Sequence, residues 1–450
     1  MKQNKDYLIT EKPSRALLIF SIPMIIGNLF QQAYTIVDSA IVGRYVGETA
    51  LAAVGASYAL TSIFICIAIG GGIGASVIIS HHFGAHNYGR MKTCIRTALL
   101  SFLFISFILG GIGLIFSQQI MEVLNTPADA IDIAVTYLNI YFLGLPFLFM
   151  YNILSSMFNA LGESRIPLYL LIFSSVLNIF LDLYIVAVLN LGVAGAAYAT
   201  FIAQGISAVL SLIIFVVTLQ QLQGKAEGWF SKTEFSDMSR IALPSILQQS
   251  TVSIGMMLVQ SVVNSFGTQI LAGFSAAMRI ESLCIVPMSA IGNAMSSYTA
   301  QNIGAEKEER ISQGYRAGNF MIIVIAVILC FFLEIAHKPL IALFLDNEPS
   351  AQTIVTGESY LKFIGFFFCM IGFKMAVDGV LRGAGAVKVF TIANMVNLTL
   401  RVTIAKFGAP IWGISMVWYA VPLGWLANFL ISYGYYRTEK WKEAASKTVD

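Results

Sequence analysis

Charged residues are scarce in this chain. Only 11% of its 450 residues are Asp, Glu, Lys or Arg, whereas 57% are hydrophobic. Soluble domains usually carry about 25% charged residues. This scarcity excludes an ordinary soluble domain of the same length and indicates a protein that lies largely within lipid. The net charge of +3 is small, so the composition gives no reason to expect a nucleic-acid partner.

Cysteine and histidine are also rare, with five and four residues respectively. The cysteines stand singly within apolar runs, a spacing that predicts neither a disulfide framework nor a metal site. We find no His, Cys or Ser arrangement typical of catalysis, so we expect neither an enzyme nor a cofactor. A cleavable signal peptide is not expected either, because the first apolar run follows a basic, polar leader and lacks a small-residue cleavage site.

Long apolar runs make up most of the chain. A helix needs about 20 apolar residues to cross ~30 Å of hydrocarbon, and twelve segments approach that length. We therefore predict an all-α polytopic membrane protein with twelve transmembrane helices. The predicted spans are residues 17–40, 51–78, 94–117, 131–158, 166–189, 193–219, 241–263, 271–299, 312–335, 354–380, 388–407 and 411–436.

The two halves of the sequence repeat each other at a separation near 220 residues. Pro23 corresponds to Pro244 and Arg90 to Arg310, and the register persists through both halves. Many transporters are built from such duplicated membrane halves. The repeat predicts two pseudo-symmetric six-helix lobes. The expected divisions are an N-lobe at 1–219, a cytoplasmic linker at 220–240, a C-lobe at 241–436 and a cytoplasmic tail at 437–450.

Basic residues lie mainly on one side of the predicted membrane. If the N-terminus is cytoplasmic, the inner segments hold 20 of the 27 lysines and arginines, and the outer loops hold only Arg44, Lys338 and Lys406. Cytoplasmic loops are enriched in Lys and Arg. Both termini are therefore expected to be cytoplasmic.

Acidic side chains at membrane depth give the sharpest functional signal, because a charge there is costly unless it has a partner or lines a cavity. From the ~1.5 Å rise of a helix, Asp38 and Asp182 lie ~9 Å and Thr200 ~10 Å below the outer ends of their spans. Asn178 is one turn from Asp182 on the same face. Oxygens of these types suit a hard cation, and buried carboxylates also suit a proton.

The second half does not repeat this cluster. The counterpart of Asp182 is Arg401, that of Thr200 is Trp418, and that of Asp38 is an apolar residue. The acidic set is therefore a property of the N-lobe alone. The alternative is that the two aspartates are unrelated and that local hydrogen bonds satisfy each of them.

Three histidines cluster between spans two and three. His82 and His86 have i, i+4 spacing, but the repeat places Asn302 and Glu306 opposite them, so a metal site is not favoured. We expect His81, His82 and His86 to lie in a solvated cytoplasmic loop. The glycine run at 70–74 sits within an apolar helix with no preceding strand, which predicts close helix packing or a bend rather than a nucleotide-binding loop.

Charges in the second half have structural interpretations. Arg279 and Glu281 are two residues apart and do not face each other on a helix, so we expect each to pair with a neighbouring helix. Asp378 and Arg382 have i, i+4 spacing and are expected to form an interfacial pair. Lys374 is expected to extend its ammonium group towards the membrane surface.

The whole chain resembles the multidrug and toxic compound extrusion (MATE) transporters, part of a larger group of 12-span antiporters and lipid flippases. The resemblance is carried by QQAYTIVDSAIVG at 31–43, by HHFGAH and AQNIGAEK after spans two and eight, by Arg279-Ile280-Glu281, by LGESR and LRGAG after spans four and ten, and by Asn178 with Asp182.

The resemblance implies which residues form the sites. The family's N-lobe cation site, used for protons or sodium, would consist of Asp38, Asn178, Asp182 and Thr200. Another branch of the family has acidic residues in spans seven and ten, but this chain has glutamines at 248–249 and apolar residues at 371–373. That departure argues against ion coupling in the C-lobe, and the Arg279 and Glu281 pair leaves a minor role there open. The residues expected to line the substrate cavity are Gln31, Tyr34, Tyr137, Asn152 and Met257.

The function implied is a proton- or sodium-coupled antiporter of the bacterial cytoplasmic membrane, which exports amphipathic, mainly cationic drugs by alternating access. The expected partners are small organic substrates and membrane lipid, and a monomer is expected. A lipid-linked glycan flippase is the alternative within the same larger group. It would need basic residues to hold a pyrophosphate, and the first lobe has none at mid-depth. A membrane-embedded enzyme would need a catalytic constellation.

Overall fold

The computed structural model describes residues 6–46, 48–124, 126, 130–345, 350–443 and 445. These residues form helices and contain no β-strand. The helices are α1 (Tyr7–Thr10), α2 (Pro13–Val46), α3 (Glu48–Gly84), α4 (Tyr88–Val123), α5 (Ile131–Ala160), α6 (Arg165–Asp182), α7 (Gly192–Gln220), α8 (Lys232–Asn264), α9 (Thr268–Gly304), α10 (Glu308–Ala342), α11 (Ala351–Gly365), α12 (Phe368–Gly383), α13 (Val387–Thr403), α14 (Ala409–Trp412) and α15 (Ser415–Arg437).

Transmembrane helices account for nearly all of this list. Within the described residues, eleven helical segments are long and apolar enough to cross a membrane, and the bent pair α11 and α12 supplies a twelfth span. These two helices meet at an angle of 53°, so the predicted span 354–380 is broken near its middle. The predicted all-α fold class with twelve spans is confirmed.

Two spans contain a widened helical segment that the sequence did not predict. The chain continues from α6 into π1 (Leu183–Val188) and from α13 into π2 (Ile404–Gly408). Both are π-helical, a geometry that is rare and frequently found at functional sites. Asp182 is the last residue of α6, so this candidate site residue lies directly before π1.

The histidine segment is helical, which corrects the predicted loop. Helix α3 runs to Gly84, and both His81 and His82 lie in its last turn and are buried. His86 follows the helix with a left-handed φ of 54°, and Glu306 in the second half has a φ of 57°. The repeat therefore preserves this backbone turn although the two residue types differ.

The glycine run of α3 allows α8 to approach closely. A Cβ atom added at Gly70 would lie 2.6 Å from the backbone nitrogen of Ile246, and one added at Gly74 would lie 2.6 Å from the carbonyl oxygen of Met238. Real Cβ atoms do not come this close to backbone. The prediction of close helix packing at this run is confirmed.

The chain divides into two compact units. The first unit is residues 26–246, and the second unit is residues 1–25 together with 247–450. Helices α2 and α8 each contribute to both units, so the units depart from the expected lobes in the first span of each half. Helix α8 also begins at Lys232, inside the stretch expected to be linker. Part of the expected tail, 444 and 446–450, lies outside the described residues.

Each unit has its own apolar core. In the first unit, Phe142 and Phe149 of α5 pack against α3 and α4. In the second unit, Tyr298 of α9 and Tyr360 of α11 are fully buried. The N-terminal residues Leu8, Leu17 and Phe20 belong to that second core, which explains why residues 1–25 cluster with the second half of the chain.

Candidate functional site

Asn178 is the centre of a polar cluster in the first unit. Its amide nitrogen donates to Tyr34 Oη at 2.6 Å and to Asp182 Oδ2 at 2.9 Å, and its amide oxygen accepts from the backbone nitrogen of Thr200 at 3.1 Å. The reverse orientation would set the amide oxygen against the Asp182 carboxylate, where two acceptors would meet. Asn178 thus joins side chains or backbone from α2, α6 and α7.

Asp182 presents one carboxylate oxygen without a partner. The side chain is completely buried, and Oδ1 has no hydrogen-bond partner among the described residues. The carboxyl groups of Asp38 and Asp182 lie close enough to share a hydrogen bond when one of them carries a proton. None of the ion pairs in the described part of the chain includes either aspartate. A proton or a cation between the two carboxyl groups would remove their repulsion.

A small cavity adjoins this cluster between α5 and α7. Its volume is ≈ 20 Å³, and Tyr137, Tyr141, Thr200 and Gln204 are among the residues that line it. About 10–15 Å³ is enough to hold one water molecule. The cavity therefore has room for a water molecule that could serve as a further oxygen ligand beside Thr200.

Tyr141 and Gln204 line this cavity but were not predicted as site residues from the sequence. Each lies one helical turn beyond a residue that was predicted, because Tyr141 follows Tyr137 on α5 and Gln204 follows Thr200 on α7. Residues four apart share a helix face, so this spacing was the available signal.

The residues predicted to line the substrate cavity fall into two groups. Tyr34 contacts Asn178, and Tyr137 interacts with both aspartates. Outside the cluster, Gln31 is exposed, Asn152 donates to the carbonyl oxygen of Leu148 within α5 at 2.8 Å, and Met257 lies in the second unit and is exposed. The role of all five in substrate binding stays a prediction.

Glu281 has a structural environment in the second unit. It is buried in α9 and accepts a hydrogen bond of 2.7 Å from Tyr360 Oη of α11. Arg401 of α13 interacts electrostatically with the same carboxylate. The expected pairing with neighbouring helices is therefore found for Glu281, whereas Arg279 is exposed.

Asp378 forms its close ion pair with Lys374 rather than with Arg382, although Arg382 still interacts electrostatically with it, and the expected surface position of Lys374 is wrong. Asp378 lies 2.9 Å from the Lys374 ammonium group and accepts from Ser432 Oγ at 2.8 Å, while Arg382 donates to Asn293 Oδ1 at 2.8 Å. Lys374 is also four residues from Asp378, on its other side, and all three charged groups are buried. Burial favours the closest ion pair, because unpaired charges are costly there.

A family model described as MatE matches the chain twice, over residues 23–184 and over residues 244–406. The chain belongs to the MatE family. The two matches cover the two halves of the repeat, so each half is one copy of the family's unit. The MatE protein is therefore a multi-pass membrane transporter.

Similar proteins extend over nearly the whole chain. The "Probable multidrug resistance protein YpnP" of Bacillus subtilis (strain 168) is 31% identical over 430 residues, which are 95% of this chain and 96% of that protein. The "FAD transporter" of Shewanella oneidensis is 22% identical over 94% of both chains. A solved multidrug resistance MATE family transporter of the MOP superfamily, in an outward-facing conformation, superposes with a TM-score of 0.91 at 24% identity and covers 99% of this chain and 100% of its own.

Proposed function

We propose that this MatE protein is a cation-coupled antiporter that exports amphipathic, mainly cationic organic compounds across the bacterial cytoplasmic membrane. Both termini would lie in the cytoplasm, and the protein would act as a monomer without a cofactor. The observation that carries the proposal is the buried Oδ1 of Asp182, which lacks a hydrogen-bond partner among the described residues and stands beside a second carboxyl group.

The carboxyl pair provides a physical basis for coupling. Asp38 is on α2 and Asp182 is on α6, so a proton or sodium ion between them attracts two helices that otherwise repel each other. An ion can shift a conformational equilibrium only by its difference in affinity for the two states. Because the site is built from two helices, its affinity depends on their separation, and ion release on one side of the membrane would accompany a change in α2 packing.

The substrate class is proposed from the relatives and from the chemistry of the chain. Proteins named for multidrug resistance are similar over nearly the full length. Within its predicted spans, the first half of the sequence has no lysine or arginine at the depth of Asp38 and Asp182. A cationic compound would therefore meet no fixed positive charge there. Sites of this kind bind by apolar and aromatic contact with few polar groups.

Reconstitution into liposomes tests the proposal. Export of a fluorescent organic cation would be driven by a pH gradient alone and by a sodium gradient alone, for the native protein and for Asp182→Asn. We expect one gradient to drive uphill export by the native protein and neither to drive it in the variant. Equal uphill export by both proteins would overturn the proposal.

A second candidate is export of an anionic flavin, which is favoured by the similarity to the FAD transporter of Shewanella oneidensis. The same liposomes loaded with FAD distinguish the two candidates. Gradient-driven FAD export without export of organic cations would replace the cationic substrate class and keep the coupling site.

A further inference from the structure

A second cluster of titratable side chains lies at the far end of the first unit, where α8 begins. His82 Nε2 at the end of α3 lies 3.0 Å from Glu234 Oε2, and Arg90 Nε of α4 lies 3.7 Å from Glu234 Oε1. His82 and Glu234 are both buried. Two helices thus contact a single carboxylate in the first turn of a third helix.

The sequence around Glu234 would ordinarily predict a local role for this carboxylate. Ser231 Oγ accepts from the backbone nitrogen of Glu234 at 3.3 Å, which is half of the capping box that Ser-x-x-Glu forms at a helix start. In the complete box the glutamate returns to the backbone of the capping residue. Here the side chain instead contacts His82 and Arg90, so it connects α8 to α3 and α4.

The segment before α8 is attached to α4 as well. Lys92 Nζ donates to the carbonyl oxygens of Leu222 at 2.7 Å and Gly224 at 2.8 Å. Thr93 Oγ1 accepts from the backbone nitrogen of Glu227 at 2.9 Å, and Thr97 Oγ1 accepts from that of Ser231 at 3.0 Å. We call these contacts, together with those of Glu234, the α8 clasp.

The repeat supplies a version of the same arrangement that lacks the imidazole and the carboxylate. Asn302 and Arg310 stand at the positions of His82 and Arg90, and they donate to the carbonyl oxygen of Leu8 at 3.2 and 3.3 Å. Each half therefore uses these two positions to hold the segment that precedes a first span. In the second half the acceptor is a backbone carbonyl, which does not titrate. The α8 clasp alone contains an imidazole and a carboxylate at this place.

We infer that His82 and Glu234 form a second proton-binding site, distinct from the Asp38 and Asp182 pair, and that its protonation fixes the start of α8 to α3 and α4. A protonated imidazole adds a coulombic attraction to its hydrogen bond with the carboxylate, so this contact is stronger than the one made by a neutral ring. We assign this site to the cytoplasmic side of the membrane, and only that assignment rests on the proposed function.

The other charged groups nearby do not reverse the direction in which protonation of His82 changes the contact with Glu234. Arg90 lies 3.7 Å from the same carboxylate, and Asp237, one turn along α8, pairs with Arg240 at 3.6 Å and also interacts electrostatically with His82. Lys92 is engaged with backbone carbonyls, and Arg96 lies over the Trp229 ring at 4.6 Å. The charge that changes when this proposed site gains or loses a proton is therefore that of the His82 imidazole. A fall in pH tightens the clasp and a rise in pH loosens it.

The site matters beyond its own unit because α8 is shared. Residues 232–246 of this helix belong to the first unit, and its remainder belongs to the second. The protonation state of His82 consequently sets how firmly one end of a shared helix is held.

Cys94 provides a native reporter of the clasp. Its side chain is fully buried, its thiol lies 3.7 Å from Met238 Sδ of α8, and it also interacts with Glu234. The protein would retain Cys94 while the other four cysteines are replaced by serine. The rate of maleimide labelling in inside-out vesicles would be divided by the rate in denatured protein at the same pH, which removes the intrinsic pH dependence of the thiol reaction.

We expect this normalised rate to rise about fivefold between about pH 6 and about pH 8 in the otherwise native protein. His82→Asn, which installs the residue of the second half, should abolish the rise. Glu234→Gln should give fast labelling throughout. His86→Asn is the matched control, because His86 contacts Tyr88, and it should retain the rise.

An unchanged rise in His82→Asn would show that another group titrates, and slow labelling of Glu234→Gln at all pH values would show that the carboxylate does not hold α8. Either result overturns the inference. Gel filtration would establish folding, and His82→Gln would replace His82→Asn if that variant aggregates. Repeating the measurement with Asp182→Asn, which should keep the rise, separates this inference from the proposed coupling site.

Discussion

The Asn178 amide nitrogen lies 2.9 Å from Asp182 Oδ2, so an uncharged donor satisfies one carboxylate oxygen and leaves the other without a partner among the described residues. A lysine at the same place would form an ion pair and hold the carboxylate permanently charged. An amide orients the carboxylate and leaves its charge available to a proton or a metal cation. This arrangement favours reversible ion binding over a static structural contact.

Neutralising either aspartate should abolish coupled export. Asp38→Asn and Asp182→Asn keep the side-chain shape but cannot bind a proton or attract a cation between the helices. We expect uphill export to fall at least about tenfold in each variant, an effect of the size seen when a charged hydrogen-bond partner is lost. The measurement is substrate export from liposomes at matched protein content. Monodisperse variants that export at the native rate would refute the coupling role.

Removal of Asp378 should lower stability and leave coupling intact. Asp378→Asn leaves the buried Lys374 ammonium group without its ion-pair partner, which typically costs about 3–5 kcal/mol. Thermal unfolding in detergent should show a lower Tm, while the number of ions moved per substrate stays unchanged. The double variant Lys374→Met with Asp378→Leu is the control and should recover most of the stability. A changed ion-to-substrate ratio in Asp378→Asn would place coupling in the second unit.

Protons and sodium should compete for the carboxyl pair. Each bound proton removes the negative charge that attracts sodium, so raising the pH empties the site of protons and tightens sodium binding, whereas lowering the pH weakens it. Sodium affinity measured by calorimetry across a pH series tests this sign, with Asp38→Asn as the control that should not bind. Affinity independent of pH, in a protein that binds sodium through Asp38, would contradict competition.

The glycine contact between α3 and α8 should be sensitive to a single methyl group. Gly74→Ala places a Cβ atom 2.6 Å from the Met238 carbonyl oxygen, so the helices must separate, and overpacking of this kind costs about 1–3 kcal/mol. Gly111→Ala on α4 is the matched control, because no atom lies within 4 Å of its new Cβ. Thermal unfolding should show a lower Tm for the first variant only, and equal Tm values would mean that α8 is not held here.

The sequence was sufficient for features that depend on local composition and spacing. Hydropathy predicted twelve spans, and helix rise placed Asp38, Asn178, Asp182 and Thr200 at one depth, where the structure brings them together. Tyr34 was predicted to line a cavity but contacts Asn178 directly. Whether Tyr34 faces Asn178 depends on how α2 is rotated about its own axis. The sequence does not determine that rotation, because α2 has apolar residues on all of its faces.

Features that depend on distant partners were missed. His81 and His82 suggested a loop because polar residues are uncommon in apolar spans, yet α3 continues through them, and His82 finds its partner Glu234 far along the chain. Asp378 has a basic residue four positions away on either side. Spacing alone could not choose between Lys374 and Arg382. Likewise, the repeat identified two halves but not the sharing of α2 and α8 between the compact units.

That sharing has a consequence for biosynthesis. The second unit contains residues 1–25 and residues 247–450. Its first 25 residues are therefore synthesised before the first unit, and its remaining residues are synthesised after the first unit. At translation rates of about 5–20 residues per second, the first unit alone takes roughly 10–45 s to make. During that interval the second-half residues of the core to which Leu17 and Phe20 belong have not been synthesised. The insertion machinery or the lipid must cover this apolar surface until α9 emerges. Only the first unit can complete its core during translation.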